Sequence, residues 1–304
     1  MTASTSSRFN LDRLLWISRS LEAFDPKQRN ISMYYPSLGQ MDALERFRQP
    51  LAPGSMVVVS GPAGVGKTMV RSMLTVTSSN WSSQVVLTMP EPPRPDTQFL
   101  RRLIELGGKN AAARTGLALT DEFMQTVASN AKQGRITTIV LDDAHHLSAA
   151  QLEMIRSILS SAAPAYPVNA VAFGEPDLVD RIGRRQLLAD RVTVHHVLNP
   201  LNPDDASQLL THRLAAVDGP ILADVIDGDA LSTLYRMAGG LPGALLTLVS
   251  DAFRVGMSRI SDWPRVDLSC VENMLVKIDD QILSPTSGIE TPVEPDHGSA
   301  NTWT

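Results

Sequence analysis

Short, wholly apolar runs alternate with segments whose apolar positions recur every three or four residues. Met56–Ser60, Gln84–Met89, Ile136–Leu141, Val168–Phe173 and Arg191–Val197 are β-branched and strand-length, the pattern of parallel strands buried on both faces. Between them lie helical spacings. Val70, Met73, Leu74 and Thr77 mark one helix, and Phe99, Leu103, Ile104 and Leu106 another. A third is predicted over about 120–132, with Thr120 as N-cap and Asp121 and Glu122 in its first turn. Ser148 and Gln151 form a capping box that opens a fourth, with Leu152, Ile155 and Leu159 inward. Proline punctuates the pattern at 90–95 and stiffens that loop. Strands alternating with helices predict a mostly parallel α/β sheet of five strands, helices on both faces, with ligands at the carboxyl ends of the strands.

Two flanking regions read differently. Ahead of the first strand, Leu11, Leu14, Leu15, Ile17 and Leu21 suit a short helix in an N-terminal extension, 1–33. Ser37-Leu38 opens another helix with Met41, Leu44 and Phe47 on one face. After Pro200 only helical spacings remain. Asn202 caps a helix with Pro203 at N1, and three more helices carry Leu231 and Leu234, Leu245 and Phe253, and Val271 and Met274. The predicted organisation is an α/β domain over 34–200, a small all-α domain over 201–280 and a polar, proline-containing, disordered tail over 281–304.

Chemistry enters at the end of the first strand. Gly61-Pro62-Ala63-Gly64-Val65-Gly66-Lys67-Thr68 reads G-x-x-x-x-G-K-T, the Walker A pattern, in the strand–loop–helix context it requires. Backbone N–H groups from Gly61 through Met69, with the start of the following helix, suit phosphate oxygens. Lys67 reaches the β- and γ-phosphates, and Thr68 ligates Mg²⁺. The strand Ile136–Leu141 then ends in two carboxylates. In a P-loop protein such a strand end faces the metal, so Asp142 is assigned to Mg²⁺ and Asp143 to orienting the attacking water.

Composition narrows the setting. The 304 residues carry a net charge of −5 and a single cysteine, Cys270, which excludes a disulfide framework and a cysteine zinc site. Met1–Ser7 lack an apolar signal core and no apolar run reaches membrane length, so a cytoplasmic location without a membrane segment is expected. His145 and His146, adjacent in sequence, and His195 and His196, on opposite faces of a strand, lack ligand spacing and are read as structural.

A P-loop α/β domain followed by a small helical lid resembles the AAA+ ATPases, and within them the ExeA/GspA-type group that includes the TniB and TnsC transposition ATPases. The resemblance covers roughly 34–280. Besides Gly61–Thr68 it rests on Leu141–Ser148, Phe173–Leu178, Ala189–Val192, Leu198–Leu201, Thr211–Leu214 and Gly239–Pro242. It implies ATP or ADP bound with Mg²⁺ beneath the lid, homo-oligomers in a ring or filament, and an arginine finger reaching a neighbour's γ-phosphate. Arg191 is the first candidate for that finger, ahead of Arg184 and Arg185. It also implies a sensor at Glu175.

Three positions depart from the family pattern. Asp143 stands where Glu is usual, Glu175 where Gln or Asn is common, and Gly243 where a lid arginine is common, with Arg236 as a substitute. Together they imply slow hydrolysis. The implied role is an ATP-dependent DNA-binding regulator that recruits a transposase or adaptor. Arg94, Arg101, Arg102, Lys109, Arg114, Lys132 and Arg135 would offer duplex DNA its phosphate contacts. An ExeA-like secretion or envelope-assembly ATPase and a nucleotide switch in defence or signalling are the alternatives. The secretion reading is lowered by the short polar tail, which has neither a membrane segment nor a wall-binding part.

Overall fold

The computed structural model describes residues 3–28, 30–48, 51–78, 83–258 and 264–283. The tail predicted over 281–304 overlaps the end of the last helix, which runs to Leu283, and beyond that residue it lies outside the described residues. In chain order the elements are α1 (Ala3–Phe24), α2 (Leu38–Arg48), β1 (Met56–Ser60), α3 (Lys67–Ser78), β2 (Gln84–Met89), α4 (Thr97–Leu106), α5 (Gly116–Ala131), β3 (Ile136–Leu141), α6 (Ala149–Ser160), β4 (Val168–Gly174), α7 (Asp177–Gly183), α8 (Gln186–Ala189) and β5 (Val192–Val197). The helices α9 (Pro203–Ala216), α10 (Leu222–Val225), α11 (Gly228–Ala238), α12 (Pro242–Met257) and α13 (Leu268–Leu283) follow.

The five strands form one parallel sheet in the order β2-β3-β4-β1-β5. This order sets β4 between β1 and β3, so the ends of all three open on one site. Side chains alternate between two cores, as the pleat requires. Met56, Val58, Ile139 and Leu141 pack with α4, α5 and α6 on one face. Val57, Val59, Val140 and Phe173 meet α2 and α3 on the other, where the Phe47 and Phe173 rings lie 5.9 Å apart. Within α2, Ala43, Leu44 and Phe47 are buried whereas Met41, expected on the same face, is exposed.

Two local expectations meet a different competitor. The predicted N-cap at Thr120 is displaced to Thr115, whose hydroxyl accepts from the Ala118 N–H, so α5 begins at Gly116. Glu122 consequently leaves the first turn and accepts from the N–H groups of Ala112 and Ala113, which hold its carboxyl below the usual range. Arg101 donates to the carbonyls of Ala111 and Ala113 from the other side. Part of the basic stretch is thus engaged in fixing a loop. The capping box forms as expected, with both Ser148–Gln151 bonds at 3.0 Å. Gln151 also reaches the Pro93 carbonyl at 2.7 Å, tying the proline loop to α6.

The helices after Leu201 share a separate core, and α1 is part of it. Trp16 and Phe24 pack on Phe253 of α12 with ring centroids 5.7 and 5.9 Å apart. The N-terminal helix thus docks on the helical lid through Trp16, Ile17, Leu21 and Phe24, whereas Leu14 and Leu15, expected with them, are exposed because they point away from the lid. Cys270 is buried in the same core.

Candidate functional site

Between sheet and lid lies a cavity of about 320 Å³, a volume suited to a small ligand. Its floor is the loop from β1 to α3: Ala63, Gly64, Gly66, Lys67, Thr68 and Met69 all line it. The glycines are needed here for space and for backbone. A Cβ at Gly61 would stand 2.8 Å from the Leu198 carbonyl oxygen, and Gly66 has φ +104°, a conformation side chains rarely adopt. Lys67 is 7% exposed and donates to the carbonyls of Gly61 and Pro62 at 2.8 and 2.9 Å. Burial lowers its pKa, and Glu175, Asp143 and Asp142 oppose that shift.

The acids at the strand ends divide into two kinds. Asp143 and Glu175 line the cavity. Asp143 has φ +46°, a left-handed conformation that asparagine and aspartate tolerate best, and it starts a 3-10 turn over Ala144–His146. Asp142 is buried behind it. Its Oδ1 accepts from the Asp143 N–H at 3.1 Å, and its Oδ2 lies 2.8 Å from Nε of Arg71 on α3.

Glu175, an odd acid for a phosphate site, has an imidazole nearby: His145 Nε2 is 3.8 Å from its Oε1. Arg181 donates to the carbonyls of His145 and Leu147 and so fixes that turn. The tightness of the turn brings the His145 and His146 rings within 4.0 Å, which adjacency on a regular helix would not. His195 and His196 do diverge: one meets the Ser60 hydroxyl at 2.8 Å, the other the Gly39 carbonyl at 2.9 Å.

The lid closes the cavity. Pro242, Gly243 and Leu246 line it, and the Gly243 N–H donates to the Gly64 carbonyl at 3.0 Å. Arg236 turns away, its guanidinium reaching Thr233 on its own helix. The lid arginine that does line the cavity is Arg213 of α9, only 4% exposed. It donates to the carbonyls of Ala23 and Asp25, at 2.5 and 2.8 Å, where α1 ends, and burial lowers its pKa. The chain it holds brings Pro26 and Gln28 to the cavity wall.

Arg213 falls within Thr211–Leu214, one of the segments that carry the family resemblance, but the sequence assigns it no role at the cavity and does not point to the strap. The available signal was a charged residue at an inward helical position beside Leu209, Leu210 and Leu214. A smaller apolar recess of about 60 Å³ shares Gly66, Met69, Arg213, Pro242 and Leu246 with the cavity and adds Met33, Tyr34 and Gln40. The Tyr34 hydroxyl and Gln40 Oε1 are buried there without a hydrogen-bond partner, and burial pushes the Tyr34 phenol up.

Arg191 stands apart from this cavity. Its carbonyl accepts from the Met56 N–H and its guanidinium lies against Gly54, at the amino ends of β1 and β5 and opposite the P-loop. Among the described residues no group of three or more His, Cys, Asp or Glu is placed to hold a metal by itself. Thr68 on the cavity wall and the oxygen donors of Asp142 and Asp143 do suit Mg²⁺, which is commonly held by one or two carboxylates together with substrate phosphates. No helix among the described residues is long and apolar enough to cross a membrane.

The comparisons agree with this geometry. Residues 52–182 match the family described as AAA domain. No curated protein sequence matches the chain. Among solved structures, the Aeropyrum pernix Orc1 protein in complex with DNA is similar over 85% of this chain and 69% of its own, with 16% identity and a TM-score of 0.61. The Cdc6p protein of Pyrobaculum aerophilum follows over 86% and 74%, with 14% identity and a TM-score of 0.59. The Aeropyrum pernix Orc2 protein in its ADPNP–ADP complexes covers 84% and 71%, with 12% identity and a TM-score of 0.57. At such identities the likeness is one of fold: the chain has a P-loop AAA+ fold, a five-stranded parallel sheet followed by a helical lid.

Proposed function

We propose that the protein binds ATP with Mg²⁺ between sheet and lid, hydrolyses it slowly, and uses the bound state to assemble on duplex DNA as a regulator of the TniB/TnsC kind. The observation that carries the nucleotide reading is the cavity itself, with Lys67, Thr68, Asp143, Glu175 and Arg213 on its walls and the lid bonded to the P-loop. Phosphates would lie along Gly61–Met69, drawing Lys67 from the carbonyls of Gly61 and Pro62. Thr68 and Asp142 would hold Mg²⁺, which supplies charge neutralisation at the phosphates. The base would enter the apolar recess, where Tyr34 and Gln40 offer a hydroxyl and a carbonyl oxygen.

Asp143 would orient the attacking water. Its carboxylate is one methylene shorter than the Glu usual at this position, which supports slow turnover. Arg191, remote from its own cavity, suits a finger offered to a neighbouring copy in a ring or filament. The Orc1 relative, solved with DNA, supports the DNA reading only at the level of fold. With Arg101 engaged in its loop, Lys109, Arg114, Lys132 and Arg135 would remain as phosphate contacts, joined by Arg94 and Arg102 if phosphate displaces their exposed bonds to the His146 carbonyl and to Glu105. A transposase or adaptor would be the partner recruited.

Duplex-DNA binding measured with ATP, ADP and a non-hydrolysable analogue over a salt series tests this. Tighter binding with ATP, falling steeply with salt, is expected. Nucleotide binding without any effect on DNA would leave the switch reading in its place.

A further inference from the structure

Arg71 has no part in the P-loop pattern, yet its largely covered side chain reaches the acid behind the cavity wall. It lies one helical turn beyond Lys67, on the same face of α3. Its Nε is 2.8 Å from Oδ2 of Asp142, with the two side chains 13% and 4% exposed. The other oxygen of Asp142 is taken by the Asp143 N–H. Both oxygens of the acid assigned to the metal are therefore engaged by the protein's own donors. Nε makes its contact without hydrogen-bond alignment, so the attraction is Coulombic rather than directional.

We propose that Arg71 is a positioning residue that serves Asp142 as a resident counter-cation, so that Mg²⁺ is admitted only together with nucleotide phosphates. The inference rests on the nucleotide reading above. Around the site, Lys67, Arg71 and Arg213 balance Asp142, Asp143 and Glu175. A bare divalent cation meets no net negative field there and approaches Arg71 as a like charge. Triphosphate adds several negative charges beside Lys67 and Thr68, and the balance turns in favour of the metal. Asp142 could then turn an oxygen toward the metal while Arg71 keeps the carboxylate in place. Removing the arginine's charge frees Asp142 for the metal and lowers the Mg²⁺ needed for tight nucleotide binding.

The test titrates Mg²⁺ against the full chain with a fluorescent ATP analogue, and titrates Mn²⁺ alone by calorimetry. Arg71→Gln and Arg71→Met are expected to move the Mg²⁺ midpoint about tenfold lower and to bind Mn²⁺ without nucleotide, whereas Arg71→Lys stays within about twofold of the unmodified protein. Midpoints unchanged or higher in both neutral variants overturn the proposal. If neither neutral variant folds, the Arg71 Nε–H resonance of the unmodified protein, assigned with Arg71→Lys, decides. It should shift with Mg²⁺ and ATP together and stay in place with Mg²⁺ alone; a shift with Mg²⁺ alone overturns the proposal. Failure of the unmodified protein to bind the analogue at any Mg²⁺ concentration overturns the nucleotide reading as well, which is a distinct result from binding with an unmoved midpoint.

Discussion

The backbone N–H of Gly243 donates to the carbonyl of Gly64 at 3.0 Å, joining the first turn of a lid helix to the phosphate loop. A Cβ at position 243 would meet the Cα and carbonyl oxygen of Gly64 at 3.4 Å, ordinary van der Waals contact. Gly243→Ala should therefore leave ATP affinity within about twofold, whereas Gly243→Leu, needing room over Gly64, should open the lid and weaken ATP about tenfold, roughly 1.4 kcal/mol. Equilibrium binding of a fluorescent ATP analogue to both variants measures the difference. Equal affinities would show that lid and loop need not touch.

Lys67 is buried on the carbonyls of its own loop, with its pKa lowered by that burial. A lysine whose folded pKa lies below its unfolded value binds protons less readily in the folded state. Its charge then costs stability below the folded pKa, and that cost is relieved as pH rises from the folded pKa toward the ordinary 10.5. Lys67→Met is expected to raise the melting temperature at neutral pH while abolishing ATP turnover. A variant that melts lower at neutral pH would show that the two carbonyl bonds outweigh desolvation.

Glu175 places a carboxylate on the cavity wall, with His145 Nε2 3.8 Å away. Glu175→Gln should tighten ATP about tenfold, because an acid facing phosphate is removed. Binding curves for ATP and ADP separate the effect, since the gain should be larger for the nucleotide with the extra phosphate. The same gain for both would place Glu175 away from the γ-phosphate.

Phe253 holds α1 on the lid through Trp16 and Phe24. Truncation to alanine removes a fully buried ring, at a cost of about 3–5 kcal/mol. Chemical denaturation should report that loss. Because α1 ends at the carbonyls that Arg213 holds, ATP affinity should fall too. Stability loss with unchanged affinity would uncouple the N-terminal helix from the cavity.

Most of this fold was legible before any coordinates. The runs of β1, β3 and β4 needed no tertiary information, because burial on both faces leaves a continuous apolar signature, whereas the edge strands β2 and β5 are only partly covered and carry polar residues such as Gln84, His195 and His196. Gly61–Thr68 carried its own context, and Ser148–Gln151 fixed a helix start to the residue. The start of α5 was not legible: Thr115 and Thr120 are both competent caps, and only the loop held between Arg101 and Glu122 favours the earlier one. Likewise, spacing marked apolar positions on α1 but could not say that Ile17 and Leu21 would face the lid while Leu14 and Leu15 stay exposed.

By itself the sequence determined the class of sheet, the phosphate loop and the pair of acids at the end of β3, since each is written in contiguous residues whose backbone and side chains act locally. Tertiary structure decided which groups meet those acids. Arg71 meets Asp142, His145 faces Glu175, and Arg213 rather than Arg236 reaches the cavity, because strand order and lid closure bring together groups far apart in the chain. A charge's partner depends on distance through space, and no spacing along the chain encodes that distance.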